Sequence, residues 1–307
     1  MPQHLIDVHV HLNNYHESSR RATVENVGEL FAKMDEIGVD HAVVITSYKA
    51  DLDRPSVEEV LEVLADSPRV TVVEGLRWRG ELRSDLFSVE ERIRDGLISG
   101  IKLYPGYDHY PINDPSLEAV FRIAGKHDVP VMIHTGDTYS KSAKVRMAHP
   151  LLVDDVAVDY PDVRFVMCHL GNPWFQDAAE VLYKNDNVYG DISGLVLGEF
   201  TYDFERYVAM RLKDMITYMG DPGSQLMYGS DWPLVRMKPY VKLLNELDFT
   251  DEQLENVAWR TAASRSRSIR GSCPAGAGPR PPGAEGSRRE RTGLPPRGPA
   301  PGCTIPP

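Results

Sequence analysis

The sequence of 307 residues contains few cysteines and no long hydrophobic run. Its three cysteines, Cys168, Cys273 and Cys303, lie far apart and form no Cys-x-x-Cys pair, so neither a disulfide framework nor a cysteine-bound zinc site is predicted. The lack of an apolar stretch of about 18 residues excludes a membrane-spanning helix. Residues 1–12 lack the basic and apolar segments of a secretory signal, so we expect a cytoplasmic protein.

Positive charge and nucleotide-binding motifs are also scarce. The formal net charge is -11, which argues against nucleic acid as a partner because phosphate binding requires a basic surface. No Gly-x-Gly-x-x-Gly or Gly-x-x-x-x-Gly-Lys-[Ser/Thr] motif follows the first predicted strand, which weakens a nucleotide-binding interpretation. Hydrophobic residues make up 42% and charged residues 26% of the chain, a composition typical of a globular domain with a large core.

The composition changes at Ser264. Residues 264–307 contain ten Pro, eight Gly and eight Arg but no Lys and no aromatic residue. Such a segment has too few apolar side chains to offset the entropy of ordering, so we predict a folded domain over residues 1–263 and a disordered tail over 264–307. The tail is either a basic interaction arm or the product of a reading-frame shift in a GC-rich gene. We favour the frame shift, because the helical pattern of residues 251–263 stops without a helix stop signal.

Short apolar segments alternate with helical patterns along residues 1–263. The segments are bounded by Gly, Pro, Asp or Asn, which is typical of buried strands. Eight strands are predicted at residues 5–10, 41–46, 70–76, 100–104, 129–134, 163–169, 188–192 and 226–230. Eight helices are predicted at residues 24–37, 56–65, 88–97, 116–126, 151–160, 175–183, 202–219 and 239–247. Eight such units most economically close into a (β/α)8 TIM barrel, an α/β fold, with a doubly wound open sheet as the alternative.

Several polar residues stand at the ends of the predicted strands, where a barrel of this kind builds its active site. His9 and His11 end the first strand, and their spacing of two places both imidazoles on one face. The others at strand ends are Lys102, His134, His169 and Asp231. Imidazole and carboxylate ligands together favour zinc, or another divalent transition metal, over calcium or magnesium.

These strand ends resemble the motifs of the amidohydrolase superfamily, in particular its amidohydrolase-related branch of metal-dependent TIM-barrel hydrolases and decarboxylases. The resemblance covers residues 4 to about 263 and rests on five segments in a fixed order. They are Ile6-Asp7-Val8-His9-Val10-His11, Gly100-Ile101-Lys102-Leu103-Tyr104-Pro105, Ile133-His134-Thr135-Gly136, Cys168-His169-Leu170-Gly171 and Gly229-Ser230-Asp231-Trp232-Pro233.

The resemblance implies a metal centre and roles for its residues. His9, His11, His134 and Asp231 are expected to hold one divalent metal, and Asp231 also to accept a proton from the attacking water. In two-metal relatives a carboxylated lysine bridges the ions and the histidine of the sixth strand binds the second. Because Lys102 and His169 are both present, a two-metal site stays possible here. Alternatively, Lys102 is a cation that pairs with a carboxylate of the substrate. We favour one metal, with His169 either as a catalytic residue or as a residue that supports the metal ligands.

The loops after the strands carry candidate substrate-binding residues. They are Arg77, Tyr104, Tyr107, Trp174 and Arg236. Aromatic side chains together with arginines suit a small, partly apolar substrate that bears a carboxylate.

The combined prediction is a metal-dependent hydrolase that cleaves an amide, ester or lactone bond of a small molecule. A decarboxylase of a small aromatic or unsaturated acid is the main alternative, and Lys102 tilts the choice towards hydrolysis. A non-catalytic binding protein on a barrel scaffold is the alternative from another class. Such a protein should lack at least one of the metal-ligand residues, and all of them are present in this sequence. The sequence leaves open whether the chain forms a homo-oligomer.

Overall fold

The computed structural model describes residues 2–15, 21–64, 67–79, 84–196, 198–199, 201–220, 223–247 and 249–265. Eight parallel strands stand in the order β1 to β8. The strands are β1 Ile6–Val10, β2 His41–Ile45, β3 Val70–Gly75, β4 Ile101–Leu103, β5 Val131–His134, β6 Phe165–Cys168, β7 Val188–Asp191 and β8 Leu226–Met227. The helices that follow them are α1 Thr23–Ile37, α2 Val57–Leu64, α3 Leu86–Arg94, α4 Glu118–His127, α5 Leu151–Asp159, α6 Phe175–Lys184, α7 Tyr202–Met219 and α8 Met237–Glu246.

The predicted TIM barrel is confirmed, and the alternative of an open doubly wound sheet is wrong. Each predicted strand and helix is present, with ends that differ by a few residues. Backbone hydrogen bonds join the first strand to the last: the amide of Val8 donates to the carbonyl of Tyr228 over 3.0 Å, and that of His11 to Trp232 over 2.7 Å. The sheet therefore curves round into a nearly closed barrel.

The strands are buried on both faces. Every residue of β1, β2 and β4 to β8 is buried, and Thr71 in β3 is the one half-buried strand residue. Amphipathic helices cover the outer face, and side chains fill the interior, so the strand sequences are nearly continuous apolar runs. Most polar strand residues therefore stand near the strand ends, and the buried exceptions Asp7 in β1 and Lys102 in β4 are hydrogen-bonded.

A final helical segment packs against the barrel. It consists of α9 Asp251–Glu255, a wider π-helical turn Asn256–Arg260 and α10 Thr261–Arg265. Trp259 is buried, and the amide of Tyr228 donates to the carbonyl of Val257 over 2.8 Å. The structure describes this helix as far as Arg265, two residues beyond the predicted boundary at residue 263. Residues 266–307 lie outside the described part of the chain, so the disorder expected for the tail stays a prediction. Within the described ranges, the structure has no helix with the length and apolarity needed to cross a membrane.

Candidate functional site

His9, His11 and Asp231 lie together at the carboxyl end of the barrel. Oδ1 of Asp231 is 3.6 Å from Nε2 of His9 and 3.2 Å from Nε2 of His11. The potential ligand atoms of these three residues all lie within 4.8 Å of one another, and all three side chains are buried. The group can therefore hold a metal ion.

Barrel closure places this group. The amide of Asp231 donates to the carbonyl of His9 over 2.8 Å. Oδ1 of Asp7 accepts from the amides of His9 and Ser230 at 3.1 Å and 3.0 Å. Residues 222 positions apart in the sequence are thus fixed side by side by backbone contacts between the first strand and the segment after the last.

Hydrogen bonds also fix the protons on the two imidazoles. Nδ1 of His9 lies 3.0 Å from Oδ2 of Asp191, and Nδ1 of His11 lies 2.7 Å from the carbonyl of Ile45. A carboxylate and a carbonyl only accept, so Nδ1 carries the hydrogen on both rings and Nε2 keeps its lone pair. Metal ligation requires an unprotonated ring nitrogen, so the donor set fits a divalent metal.

The protonation states of His9 and Asp231 also suit metal binding. Burial lowers the pKa of His9 to about 3, helped by the positive charge of Lys102 and opposed by Asp191. Burial alone would raise the pKa of Asp231, but His11, whose Nε2 lies 3.2 Å from Oδ1 of Asp231, and the nearby His9 and His169 outweigh it and lower the pKa to about 2. At neutral pH the imidazole of His9 is neutral and the carboxylate of Asp231 is ionised, as metal binding requires.

His134 and His169 stand beside this group. The ring centroid of His169 lies 4.9 Å from that of His9 and 4.9 Å from that of His134. Nε2 of His134 donates to the carbonyl of Asp137 over 2.9 Å. Among the described residues, the two groups of closely spaced ligand atoms do not include His134. The structure thus brings three of the four predicted metal ligands together and places the fourth next to His169.

His169 and Asp231, the two predicted catalytic residues, share an uncommon backbone conformation. Their φ angles are 63° and 71°. A non-glycine residue in this left-handed region costs on the order of 1–3 kcal/mol and persists where the surrounding structure imposes it, often at a functional site. Burial lowers the pKa of His169, and its Nδ1 donates to the carbonyl of Ser193 over 3.1 Å, which leaves Nε2 unprotonated.

The segment after β7 packs directly against these residues, and sequence reasoning missed it. Asp191, the last residue of β7, is fully buried and accepts from His9. Ser193 contacts both His9 and His169. At Gly194, with φ 63°, an added Cβ would lie 2.3 Å from Nδ1 of His169, so only glycine fits. The signal was available, because Asp191 lies one residue before the end of the strand predicted at 188–192, and Asp231 lies one residue after the strand predicted at 226–230.

Lys102 lies beneath the histidines and is paired with a thiol. Its Nζ donates to Sγ of Cys168 over 2.7 Å, and both side chains are buried. Burial raises the pKa of Cys168, although the charge of Lys102 opposes it. His9, Cys168 and Asp191 form the second group of closely spaced ligand atoms. The ammonium of Lys102 therefore supplies a positive charge next to that second group.

Tyrosines form an aromatic wall next to the histidines. The ring of Tyr107 lies 4.7 Å from that of His134, and Tyr104 lies 5.1 Å from Tyr48, which sequence reasoning had not singled out. Tyr104 is buried and donates from its hydroxyl to the carbonyl of Thr46 over 2.7 Å. The structure therefore places the predicted Tyr104 and Tyr107 at the site. We call Tyr48, Tyr104 and Tyr107 the tyrosine wall.

The other predicted substrate-binding residues differ in position. Arg77 lies close enough to Tyr48 for its charge to favour the ionised phenol, against the burial that raises the pKa of that tyrosine. Trp174 packs on His149, with ring centroids 4.6 Å apart. Arg236 is exposed, donates to the carbonyl of Gly198 over 2.9 Å and pairs with Glu199. The charge of Arg77 thus reaches the tyrosine wall, although its Nε donates to the carbonyl of Arg79, whereas the contacts of Trp174 and Arg236 lead elsewhere.

Several solved structures resemble this fold at low sequence identity. An uncharacterised TIM-barrel protein from Bordetella bronchiseptica is 17% identical with a TM-score of 0.68, covering 87% of this chain and 98% of that one. A probable 2-pyrone-4,6-dicarboxylic acid hydrolase from Acinetobacter baumannii is 16% identical with a TM-score of 0.60, over 85% and 98%. A 5-carboxyvanillate decarboxylase from Sphingomonas paucimobilis is 15% identical with a TM-score of 0.57, over 86% and 99%. These similarities concern the fold.

The sequence itself identifies the family. No curated protein matches the chain. The family model described as amidohydrolase matches residues 88–264, more than half of the chain, and this range includes Lys102, His134, His169 and Asp231. The chain therefore belongs to the amidohydrolase family.

Proposed function

We propose that this protein is a metal-dependent hydrolase with one divalent ion, best fitted by zinc, at His9, His11, His134 and Asp231. The observation that carries the proposal is the approach of Oδ1 of Asp231 to Nε2 of His9 and of His11, at 3.6 Å and 3.2 Å. Two nitrogens with free lone pairs and an ionised oxygen form a donor set that suits zinc. His134 would complete the set through Nδ1, because Nε2 donates to Asp137.

The position of Lys102 supports one metal rather than two. A bridging role would require carboxylation of Nζ and its release from Cys168, to which it donates over 2.7 Å. An ammonium at this place already balances the negative charge of Asp191, whose pKa is lowered by His9, His169 and Lys102 despite its burial. Lys102 therefore acts as a fixed cation.

The proposed reaction is hydrolysis of an amide, ester or lactone bond. The bound ion would supply Lewis-acid activation of water and of the substrate carbonyl. Asp231, ionised and buried, accepts the proton of the attacking water and returns it to the leaving nitrogen or oxygen. His169 presents an unprotonated Nε2 and takes part as a hydrogen-bond acceptor for water or substrate.

The proposed substrate is small, partly aromatic and carries a carboxylate. The tyrosine wall provides an apolar surface beside His134, and Arg77 provides a cation next to it. Trp174 and Arg236 have no part in this proposal, because their contacts are with His149 and with the loop at Gly198 and Glu199.

Decarboxylation of a small aromatic acid is the second candidate. The tyrosine wall favours it, since a planar aromatic acid would stack there with its carboxylate near the proposed metal. Both a probable hydrolase and a decarboxylase share this fold at similar TM-scores, so fold similarity does not separate the two reactions.

The test is to supply the zinc-loaded protein with lactones, aryl esters, amides and aromatic carboxylates in water enriched in oxygen-18. Label in the organic product without release of carbon dioxide supports hydrolysis. Release of carbon dioxide without label in the organic product supports decarboxylation. His127→Ala is the matched control for Asp231→Ala. It removes a histidine of α4 that pairs with Glu90. Equal turnover by the Asp231→Ala and His127→Ala variants would refute the proposed site.

A further inference from the structure

Asp191 and Ser193 form a buried network that touches two histidines with different proposed roles. Oδ2 of Asp191 accepts from Nδ1 of His9 over 3.0 Å, and its Oδ1 accepts from the amides of His169 and Ser193, each over 3.1 Å. The hydroxyl of Ser193 also donates to Oδ1 of Asp191. Asp191 and Ser193 are both fully buried, so water does not compete for these hydrogen bonds.

The network determines which nitrogen of each ring carries the hydrogen. The single hydroxyl hydrogen of Ser193 is given to Asp191, so its oxygen can only accept from Nδ1 of His9 at 3.0 Å and Nδ1 of His169 at 2.9 Å. Nδ1 of His169 also lies 3.1 Å from the backbone carbonyl of Ser193. Every partner of the two Nδ1 atoms is an acceptor. Both rings are therefore held with hydrogen on Nδ1 and a lone pair on Nε2.

We propose that Asp191, with Ser193, is a positioning residue that sets the tautomer and orientation of His9 and His169 together. Both oxygens of its carboxylate accept hydrogen bonds from His9, His169 and Ser193, so in this proposal it acts through the two rings and not as a metal ligand. A carboxylate that accepts from the far nitrogen of a metal-binding histidine fixes the ring and raises its basicity, and its loss typically weakens metal affinity 10-fold to 100-fold. The proposal rests on the metal site proposed above for its effect on affinity, but its effect on the tautomers does not depend on a metal.

The first test uses the wild-type protein without metal. Long-range proton–nitrogen NMR of histidine rings labelled with nitrogen-15 distinguishes the two neutral tautomers, and His9→Ala and His169→Ala variants assign the signals. We expect His9 and His169 both to carry hydrogen on Nδ1 at pH 7.5. A hydrogen on Nε2 of His9 would overturn the proposal, regardless of the zinc affinities of the variants.

The second test compares Asp191→Asn with Asn187→Ala. An amide at position 191 can present its NH2 group to Nδ1 of His9 and so favour the opposite tautomer. Asn187 lies just before the other end of β7 and donates to the carbonyls of Ala157, Tyr160 and Val163, so its loss weakens the fold without touching a histidine. We expect zinc affinity, measured by competition with a chelator, to fall about 10-fold to 100-fold in Asp191→Asn and to stay near wild type in Asn187→Ala.

Two outcomes separate the inference from the function on which it rests. If His9→Ala binds zinc as tightly as wild type, the metal site is elsewhere and the proposed function fails, while the NMR result still decides on Asp191. If His9→Ala loses zinc but Asp191→Asn keeps wild-type affinity and the Nδ1 hydrogen of His9, only the positioning role fails. Equal losses in Asp191→Asn and Asn187→Ala would show a structural role alone.

Discussion

Nζ of Lys102 lies 2.7 Å from Sγ of Cys168, in the buried layer beneath the histidines. The two residues come from β4 and β6, which are separated by β5 in the barrel. Their side chains therefore meet across the barrel interior. This contact supports the proposal that Lys102 acts as a fixed positive charge and not as a metal ligand.

This contact leads to a prediction about metal content. We expect the protein to bind one equivalent of zinc per chain, and the stoichiometry to be the same with and without added bicarbonate, because we propose that Lys102 stays paired with Cys168 and is not carboxylated. Elemental analysis after dialysis measures it. Lys126→Met, which removes an exposed lysine paired with Glu90, serves as the control for Lys102→Met. A second equivalent that requires bicarbonate and disappears only in Lys102→Met would contradict the single-metal proposal.

Replacement of His11 tests the metal centre from the side that Asp191 does not touch. His11→Ala removes a nitrogen 3.2 Å from Oδ1 of Asp231 and leaves that carboxylate without its nearest partner. We expect zinc affinity to fall by at least about 100-fold and turnover to be lost, while circular dichroism shows an intact barrel. Retention of both zinc and activity would exclude His11 from the site.

The fold could be predicted from the sequence almost completely. Each strand was visible as a buried apolar run, because a parallel barrel has helices outside and packed side chains inside. The rule that polar residues collect at strand ends also found His9, His11, His169 and Asp231. The same rule applied to β7 would have found Asp191, so that omission was avoidable.

Other features of the site could not be read from the sequence. The pairing of Lys102 with Cys168 depends on side-chain directions across the barrel interior. The contacts of Trp174 and Arg236 depend on the paths of their loops, and a position after a strand does not reveal whether a side chain turns towards the barrel mouth or towards a neighbouring loop. The proton positions on the histidines depend on acceptors from β2 and β7, which no local pattern reveals.

Gly194 offers a test of how closely His169, the proposed catalytic histidine, is held. An added Cβ would lie 2.3 Å from Nδ1 of His169, so Gly194→Ala must displace that ring. A misplacement on the order of 1 Å can reduce a rate about 100-fold, and we expect a loss of this size in kcat. Gly38→Ala is the matched control, since Gly38 also has a positive φ, 83°, but no atom within 4 Å of the added Cβ.

Both glycine variants should lose on the order of 1–2 kcal/mol of stability, because both place alanine in the left-handed region, and Gly194→Ala should lose more, because its Cβ also overlaps His169. Urea unfolding measures this loss. Only Gly194→Ala should lose activity. If the two variants are equally active, the close contact with His169 has no functional consequence.

His41 predicts a pH dependence of stability that is separate from the metal centre. It lies at the start of β2, and burial lowers its pKa from 6.5 to about 4. The folded state therefore binds fewer protons than the unfolded chain between these pH values. The stability is undiminished above pH 6.5 and declines as the pH falls towards 4, where the loss reaches about 3 kcal/mol. Urea unfolding between pH 7.5 and pH 4 should therefore show a shallower decline in the free energy of unfolding for His41→Gln than for wild type. Parallel curves for the two proteins would show that His41 titrates alike in the folded and unfolded states.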